Sequence, residues 1–263
     1  MNQITNLKSR SIIEVCGEDR KKFLQGLITN NVNKANQENL IYTAMLNSSG
    51  RFLYDFFIFE KDQKLILDCF APRRDEIFQK LNFYKLRSKV ELKKNDEIFV
   101  EQNFLNLGFV DPRSSQLGYR NYQAKQDSVY SQEYHFKRIA AKIPESELDL
   151  TYEKSLILEF GFDELNAIDY QKGCYVGQEL TARTHHLGQI RKKIFHVKIS
   201  NKTSLPKNSE ITCQGKVAGI ILSSVFFQDN LHALALIKLS NLQQINDFHL
   251  YLEFEGSKIF IIN

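Results

Sequence analysis

The sequence of 263 residues lacks several features that would assign a chain to a class at once. No run of about 18 apolar residues is present, so we expect no membrane-spanning helix. The net charge of +4 is dispersed along the chain. Without a clustered basic face we expect no direct binding of nucleic acid. The first ten residues contain no apolar core and no Arg- and Ser-rich leader, so we expect a protein of the bacterial cytosol.

Cysteine is scarce, and its spacing excludes two classes of site. The four cysteines are far apart and form no Cys-x-x-Cys pair: Cys16, Cys69, Cys174 and Cys213. This spacing argues against a disulfide framework and a structural zinc site, so we expect no metal site built by this chain alone. A phosphate-binding loop, a dinucleotide fingerprint, a nucleophile elbow and a His-Glu-x-x-His motif are also missing.

The composition is typical of a globular protein, with 43% hydrophobic and 25% charged residues. In the first half, strand-like apolar runs alternate with two helical patterns, one after Asp19 with Phe23, Leu24 and Leu27 on one face and one over residues 72–86. The predicted strands cover residues 12–15, 40–46, 51–60, 64–70, 89–92 and 98–102. This order predicts an α+β fold with a largely antiparallel sheet.

The second half changes character near residue 188. Residues 130–142 fit either a helix or a strand, and a helix is expected over 177–186. Short strand-like runs then follow at 194–199, 210–213, 217–223, 232–237 and 248–254. Such a series predicts a small all-β barrel or sandwich. We therefore predict two domains, residues 1–188 and residues 189–263.

Cys174 is the residue with the most suggestive local setting. It follows Lys172 and Gly173 and precedes the helix expected to start near Gly177. Backbone N–H groups at a helix N-terminus and a nearby ammonium group both favour a thiolate, which is the reactive form of cysteine. A small structural thiol explains the same pattern, and the residues alone leave both interpretations open.

Two carboxylates lie in apolar surroundings. Asp55 interrupts a strongly apolar strand, and it could pair with an arginine, bind a ligand amine or face solvent. Glu159 lies in Leu-Glu-Phe-Gly, where it could hold a nitrogen heterocycle through two parallel hydrogen bonds or simply lie on a helix surface. Arg183 and Arg191, with the histidines and lysines near them, could meet an anionic ligand or be solvated.

Residues 172–179 read Lys-Gly-Cys-Tyr-Val-Gly-Gln-Glu, and this motif resembles that of the YgfZ family of folate-binding proteins in iron–sulfur cluster metabolism. Further matches are residues 24–32, Gly50-Arg51 with Asp55, and residues 86–88, 111–113, 117–118 and 164–166. The family is distantly similar to the T-protein of glycine cleavage, an aminomethyltransferase. The resemblance implies an aminomethyltransferase-like fold, with subdomains arranged in a ring around a central cavity and a small β-barrel at the C-terminus.

The resemblance also implies tetrahydrofolate as the cofactor. Cys174 and Asp55 would then be the reactive residues. The residues implied to contact folate are Glu159, Lys172, Tyr175, Gln178, Arg183 and Arg191. Where T-proteins carry two adjacent aspartates, this sequence has Tyr54-Asp55, so one carboxylate is missing.

Three functional hypotheses follow. The leading one is an accessory protein that assembles or repairs iron–sulfur proteins, with clients such as radical-type tRNA-modifying enzymes. Cys174 would then act as a nucleophile or as a transient cluster ligand. The second is a true folate-dependent aminomethyltransferase, with Asp55 orienting the folate nitrogen. The third, direct action on tRNA, conflicts with the dispersed charge.

Overall fold

The structure is a computed structural model that describes residues 4–124, 131–188, 190–200, 202–242 and 251–262. The described strands are β1 Ile4–Asn6, β2 Arg10–Cys16, β3 Ile41–Leu46, β4 Phe52–Lys61, β5 Lys64–Phe70, β6 Glu91–Asn95, β7 Phe99–Asn103, β8 Phe109–Val110, β9 Tyr119–Gln123, β10 Lys192–Ile199, β11 Glu210–Cys213, β12 Lys216–Phe227, β13 Asn230–Lys238, β14 Leu252–Phe254 and β15 Ser257–Ile262. The described α-helices are α1 Arg20–Gln25, α2 Arg74–Lys85, α3 Gln132–Ala140, α4 Ser146–Asp149 and α5 Gln178–Leu187.

The chain divides into two compact units. The first unit comprises Met1–Ser131, Tyr152–Lys154 and Phe162–Ala182. The second unit comprises Gln132–Thr151, Ser155–Gly161 and Arg183–Asn263. The predicted domain boundary near residue 188 stays a prediction.

The first unit contains two antiparallel sheets. One has five strands in the order β3-β4-β5-β2-β6, and the other has four in the order β1-β7-β9-β8. The first eight residues of β4 are all buried, because both faces of this strand are covered. One face packs in an apolar core with residues of α1 and α2, namely Phe23, Leu24, Ile77 and Leu81.

The other face of β4 packs on aromatic and charged residues of the second sheet. Phe59 of β4 and Tyr122 of β9 have ring centroids 4.6 Å apart. The guanidinium of Arg120, also on β9, lies 3.7 Å from the centre of the Phe57 ring. Alternate residues of β4 therefore pack in the apolar core on one face and against aromatic and charged residues of the second sheet on the other.

The second unit contains a closed six-stranded barrel in the order β10-β13-β12-β11-β14-β15. Small and branched residues fill its interior, among them Val197, Ala218, Ala233 and Ile237, none of them accessible to solvent. The α+β class, the antiparallel pairing and the C-terminal barrel are confirmed.

Several predicted boundaries needed correction. For residues 130–142 the sequence pattern fitted either a helix or a strand. The structure has a helix there, α3. Leu27 lies beyond the end of α1. Asp19 is the N-cap residue of this helix, but its side chain accepts a hydrogen bond from Lys89 N and makes no capping hydrogen bond. The strands β1, β8, β9 and β15 were not predicted, and residues 248–250 of the predicted strand 248–254 lie outside the described residues. Among the described residues, no helix combines the length and the apolar character needed to span a bilayer.

Candidate functional site

Cys174 lies in the loop that precedes α5. Its side chain is exposed, whereas Cys16 is half-buried and both Cys69 and Cys213 are buried. Burial also raises the pKa of Cys69 to about 12, which keeps that thiol protonated at neutral pH. Cys174 is therefore the cysteine whose sulfur a partner or a reagent reaches most easily.

Lys172 anchors the loop that carries Cys174. Its ammonium group donates to three backbone carbonyls, those of Gln25 at 2.6 Å, Ile28 at 2.5 Å and Asn30 at 3.0 Å. An ammonium group has three N–H donors, so this cage uses all of them. Because these carbonyls use all three donors, Lys172 Nζ has no N–H group left to donate to a ligand.

The residues after Cys174 are held by local and distant hydrogen bonds. Gln178 Oε1 accepts from Tyr175 N at 3.1 Å, and Val176 N donates to Gly26 O at 3.1 Å. The Tyr175 side chain is half-buried, and burial raises its pKa to about 12 despite a hydrogen bond with Thr181. These contacts fix the loop on both sides of the exposed thiol.

Two glycines of the sequence motif are required where the loop meets the β3–β4 hairpin. Gly177 has φ +81° and Gly50 has φ +73°, a region that favours glycine. A Cβ on Gly177 would lie 2.9 Å from Leu46 Cβ and would collide with Asn47 O. A Cβ on Gly50 would lie 2.7 Å from Leu180 Cβ. By contrast, Gly173 has open space around it and meets no such restriction.

Other motif residues attach the segment before the loop to the stretch between α1 and β3. Thr29 Oγ1 donates to Ala167 O at 2.7 Å, and Asn30 Nδ2 donates to Asn166 O at 2.7 Å. Asn166, with φ +57°, donates from its side chain to Pro112 O at 3.2 Å. Polar residues that are far apart in sequence therefore form one scaffold beneath the Cys174 loop.

Asp55 lies in a buried ion cluster on β4. It is 3% exposed, and Arg10 donates to its Oδ1 at 3.1 Å while the Tyr42 hydroxyl donates to its Oδ2 at 3.1 Å. Of the three roles that the sequence left open, pairing with an arginine is the one that the structure shows. A catalytic role for Asp55 stays a prediction, and it requires a substrate to reach a carboxylate that these two groups cover.

The charged neighbours of Asp55 were not predicted from the sequence. Asp68 of β5 accepts from Arg10 Nε at 2.6 Å and from Arg120 Nη2 at 2.7 Å. Burial alone would raise the pKa of Asp68, but the two guanidinium groups hold it below its ordinary value. Asp68 interrupts a run of apolar residues in the same way as Asp55, and this pattern was the signal that could have identified it.

The remaining predicted site residues belong to the second unit. Glu159 is half-buried in a short 3-10 helix, Ile157–Phe160, which ends at Gly161 with φ +73°. Arg183 and Arg191 are exposed. Their cooperation with the Cys174 loop stays a prediction. Within the described part of the chain, no cluster of three or more His, Cys, Asp or Glu residues suits a metal ion.

Comparison with known proteins finds homologues that share the name iron–sulfur cluster assembly factor IBA57. No family model matches the chain. The chain is 32% identical to the mitochondrial iron–sulfur cluster assembly factor IBA57 homolog of Pyricularia oryzae, over 81% of its own length and 61% of that protein. It is 35% identical to the Neurospora crassa homolog, over 73% and 52% of the two lengths. Mouse IBA57 is 29% identical, over 81% and 72% of the lengths. The chain thus spans little more than half the length of the two fungal relatives.

Among solved structures, an aminomethyltransferase T of the glycine cleavage system from Bartonella henselae superimposes with a TM-score of 0.73. The match covers 99% of this chain and 84% of the other at 12% sequence identity, so it establishes the fold alone. The predicted aminomethyltransferase-like fold is confirmed. The predicted location was wrong, because the homologues are mitochondrial proteins and point to mitochondria instead of the bacterial cytosol.

Proposed function

Because the homologues of this chain are iron–sulfur cluster assembly factors of the IBA57 kind, we propose that it is an accessory protein of iron–sulfur cluster assembly. Cys174 is the residue that we assign to this role, because its thiol is exposed on a loop fixed by Lys172. A pinned loop presents a sulfur in one orientation and loses little conformational freedom when a partner binds.

The chemistry that suits this geometry is ligation of a shared cluster. Iron–sulfur clusters are commonly held by four thiolates, and this chain exposes one, so the other ligands would come from a partner. Cys174 would lose its proton and bind one iron atom while the cluster passes to a client. Radical-type tRNA-modifying enzymes are the client class that we propose, which would make any effect on tRNA modification indirect.

Tetrahydrofolate is the cofactor that the sequence resemblance implies, and we propose it with a reduced set of contacts. All three N–H groups of Lys172 and the side-chain oxygen of Gln178 are already used within the first unit. Within the second unit, Glu159 would accept from the pterin, and Arg183 and Arg191 would favour the anionic tail. The contact of folate with Tyr175 stays a prediction. When bound, a reduced folate supplies a one-carbon acceptor.

Cluster transfer tests the role of Cys174. The full-length protein is mixed anaerobically with a [2Fe–2S]-loaded donor protein and an apo acceptor, and transfer is followed by visible circular dichroism. We expect Cys174→Ser to lose transfer and Cys16→Ser, at a half-buried thiol, to retain it. Unchanged transfer with Cys174→Ser would leave attack on a one-carbon unit as the remaining chemistry for this residue.

Calorimetric titration with tetrahydrofolate tests the cofactor. We expect the wild type and Cys174→Ala to bind and Glu159→Ala to bind at least tenfold more weakly. No binding by the wild type would refute the folate proposal without affecting the proposed role in cluster assembly. Folate-dependent ammonia release from an aminomethyl-lipoyl protein would instead establish the aminomethyltransferase alternative.

A further inference from the structure

A cleft opens on the surface of the first unit between α1 and the end of α2. Its volume is about 840 Å³. Phe23, Leu27 and Tyr84 give it apolar walls, and Asp19, Lys22, Leu86, Arg87 and Ser88 complete its lining. This volume lies within the range of sites that hold a ligand or a protein side chain. None of these residues belongs to the Cys174 loop or to the ion cluster around Asp55.

Leu86, at the edge of the cleft, has a strained backbone. Its φ is +44° and its ψ is −112°, close to the conformation that a type II′ turn requires at its first central position. Ser88 N closes this turn by donating to Lys85 O at 2.8 Å. Glycine is the usual residue at such a position, and a leucine there strains the backbone.

The strained leucine is not compensated by burial. The Leu86 side chain is 85% exposed, and Phe83, one turn earlier on α2, is 75% exposed. Isolated exposed apolar residues are ordinary, but these two large ones are three residues apart at the end of α2, where Tyr84 and Leu86 line the cleft, and we call the pair the apolar patch. A costly backbone conformation that directs an apolar side chain into solvent indicates a use for that side chain outside the free protein.

The charges around the cleft are mostly positive. Lys22 and Arg87 are exposed and form no ion pair within the described part of the chain. Asp19 is the acidic residue in the lining, and its carboxylate already accepts from Lys89 N at 2.9 Å. The free charges at the rim therefore complement an acidic partner.

We propose that this cleft is the docking site for an acidic amphipathic helix of a partner protein. The helix would place an apolar side chain between α1 and α2, pack it against Leu86, and direct its carboxylates to Lys22 and Arg87. This is the helix-in-groove mode of recognition, in which apolar anchors give affinity and charges give selectivity. A lipid surface fits less well, because a flat surface would contact Phe83 and Leu86 but would leave the concave walls unfilled.

The test uses fluorescent 16-residue helical peptides with leucines along one face and glutamates on the other, and a matched set with lysines in place of glutamates. Binding to the full chain is measured by anisotropy at about 0.15 M salt. We expect the glutamate peptides to bind and the lysine peptides to fail. Leu86→Gly should weaken binding at least tenfold and leave the fold intact, because glycine adopts this backbone conformation without strain.

Three controls separate the alternatives. Leu107→Ala removes another exposed leucine outside the cleft lining and should leave binding unchanged. Arg87→Glu should weaken the glutamate peptides and improve the lysine peptides. Cys174→Ser should bind as the wild type does, which keeps this site independent of the proposed cluster chemistry.

Several results would overturn the proposal. One is glutamate-peptide binding that Leu86→Gly leaves unchanged, and another is the absence of binding by any peptide. Leu86-dependent sedimentation with phosphatidylserine vesicles, without peptide binding, would assign the patch to a membrane surface. A Leu86-dependent dimer in sedimentation velocity would assign it to a second copy of this chain.

Discussion

Replacing Lys172 by methionine tests whether the ammonium cage holds the Cys174 loop. Methionine keeps most of the apolar stem and removes the three N–H donors. Three carbonyls, at 2.6, 2.5 and 3.0 Å from Nζ, then lose a charged partner. Hydrogen bonds to a charged group contribute about 1.5–3 kcal/mol each, so the gross loss is roughly 4.5–9 kcal/mol.

The cost of burying the ammonium group offsets part of this loss. Burial lowers the pKa of Lys172 from 10.5 to about 8. That change corresponds to roughly 3 kcal/mol, since each pKa unit is 1.36 kcal/mol. The difference is a lowering of the free energy of unfolding by about 1.5–6 kcal/mol in Lys172→Met. Denaturant unfolding measures this value, and Lys154→Met, at an exposed lysine of the same unit, should change it by less than about 0.5 kcal/mol.

Hydrogen exchange shows whether the effect is local to the loop. The Val176 amide donates to Gly26 O beside the cage, so its protection should fall in Lys172→Met at denaturant-free conditions. In Lys172→Ala, ammonium or potassium ions at high concentration should restore part of that protection by entering the carbonyl cage. A Lys172→Met protein with wild-type stability and unchanged Val176 exchange would refute the role assigned to the cage.

Three further predictions concern the fold around the site. Asp68→Asn should lower the free energy of unfolding by about 3–5 kcal/mol in a denaturant titration, because it leaves buried guanidinium groups uncompensated. The control Asp96→Asn, in an exposed ion pair, should lower it by less than about 1 kcal/mol. Gly177→Ala should cost roughly 1–3 kcal/mol by the same measurement, and Gly173→Ala should not. Burial lowers the pKa of His196 to about 4, so stability should be complete above pH 6.5 and fall by about 2–3 kcal/mol as pH drops from 6.5 towards 4.

Each of these predictions has an outcome that contradicts it. Equal effects of Asp68→Asn and Asp96→Asn would mean that the buried ions are not coupled as their geometry indicates. A Gly173→Ala protein as unstable as Gly177→Ala would show that φ and close packing at residue 177 do not set the requirement. For His196, the unfolded state binds more protons between pH 4 and 6.5, so His196→Gln should flatten the dependence on pH. If the stability of His196→Gln fell with pH as steeply as that of the wild type, the assignment of this pH dependence to His196 would be refuted.

The sequence predicted six of the nine described strands of the first half because their periodicity is local information, and it missed the strands β1, β8 and β9. The six predicted strands from 12–15 to 98–102 all correspond to observed ones, with shifts of up to three residues at their ends. In a strand with one buried face every second residue is apolar, and in a helix with one buried face every third or fourth residue is apolar. The helix expected after the Gly-Cys turn is also present, and α5 begins at Gln178.

The site residues named from the sequence stay predictions, and the contacts that those residues make came from the tertiary structure. Lys172 and the carbonyls that surround it are separated by 142 to 147 residues. Arg10 and Asp55 are 45 residues apart. Contacts over such distances depend on which strands pair and which loops meet, and a single sequence carries no local signal for them.

By itself, the sequence determined an α+β fold with a C-terminal β-barrel, the motif around Cys174 and the glycines that the motif contains. The tertiary structure decided what those residues do within the fold. It placed Lys172 in a carbonyl cage, closed Asp55 inside an ion cluster and left the Cys174 sulfur exposed. The physical reason is that periodicity and turn chemistry act between neighbours, whereas burial and the pairing of charges depend on the folded chain as a whole.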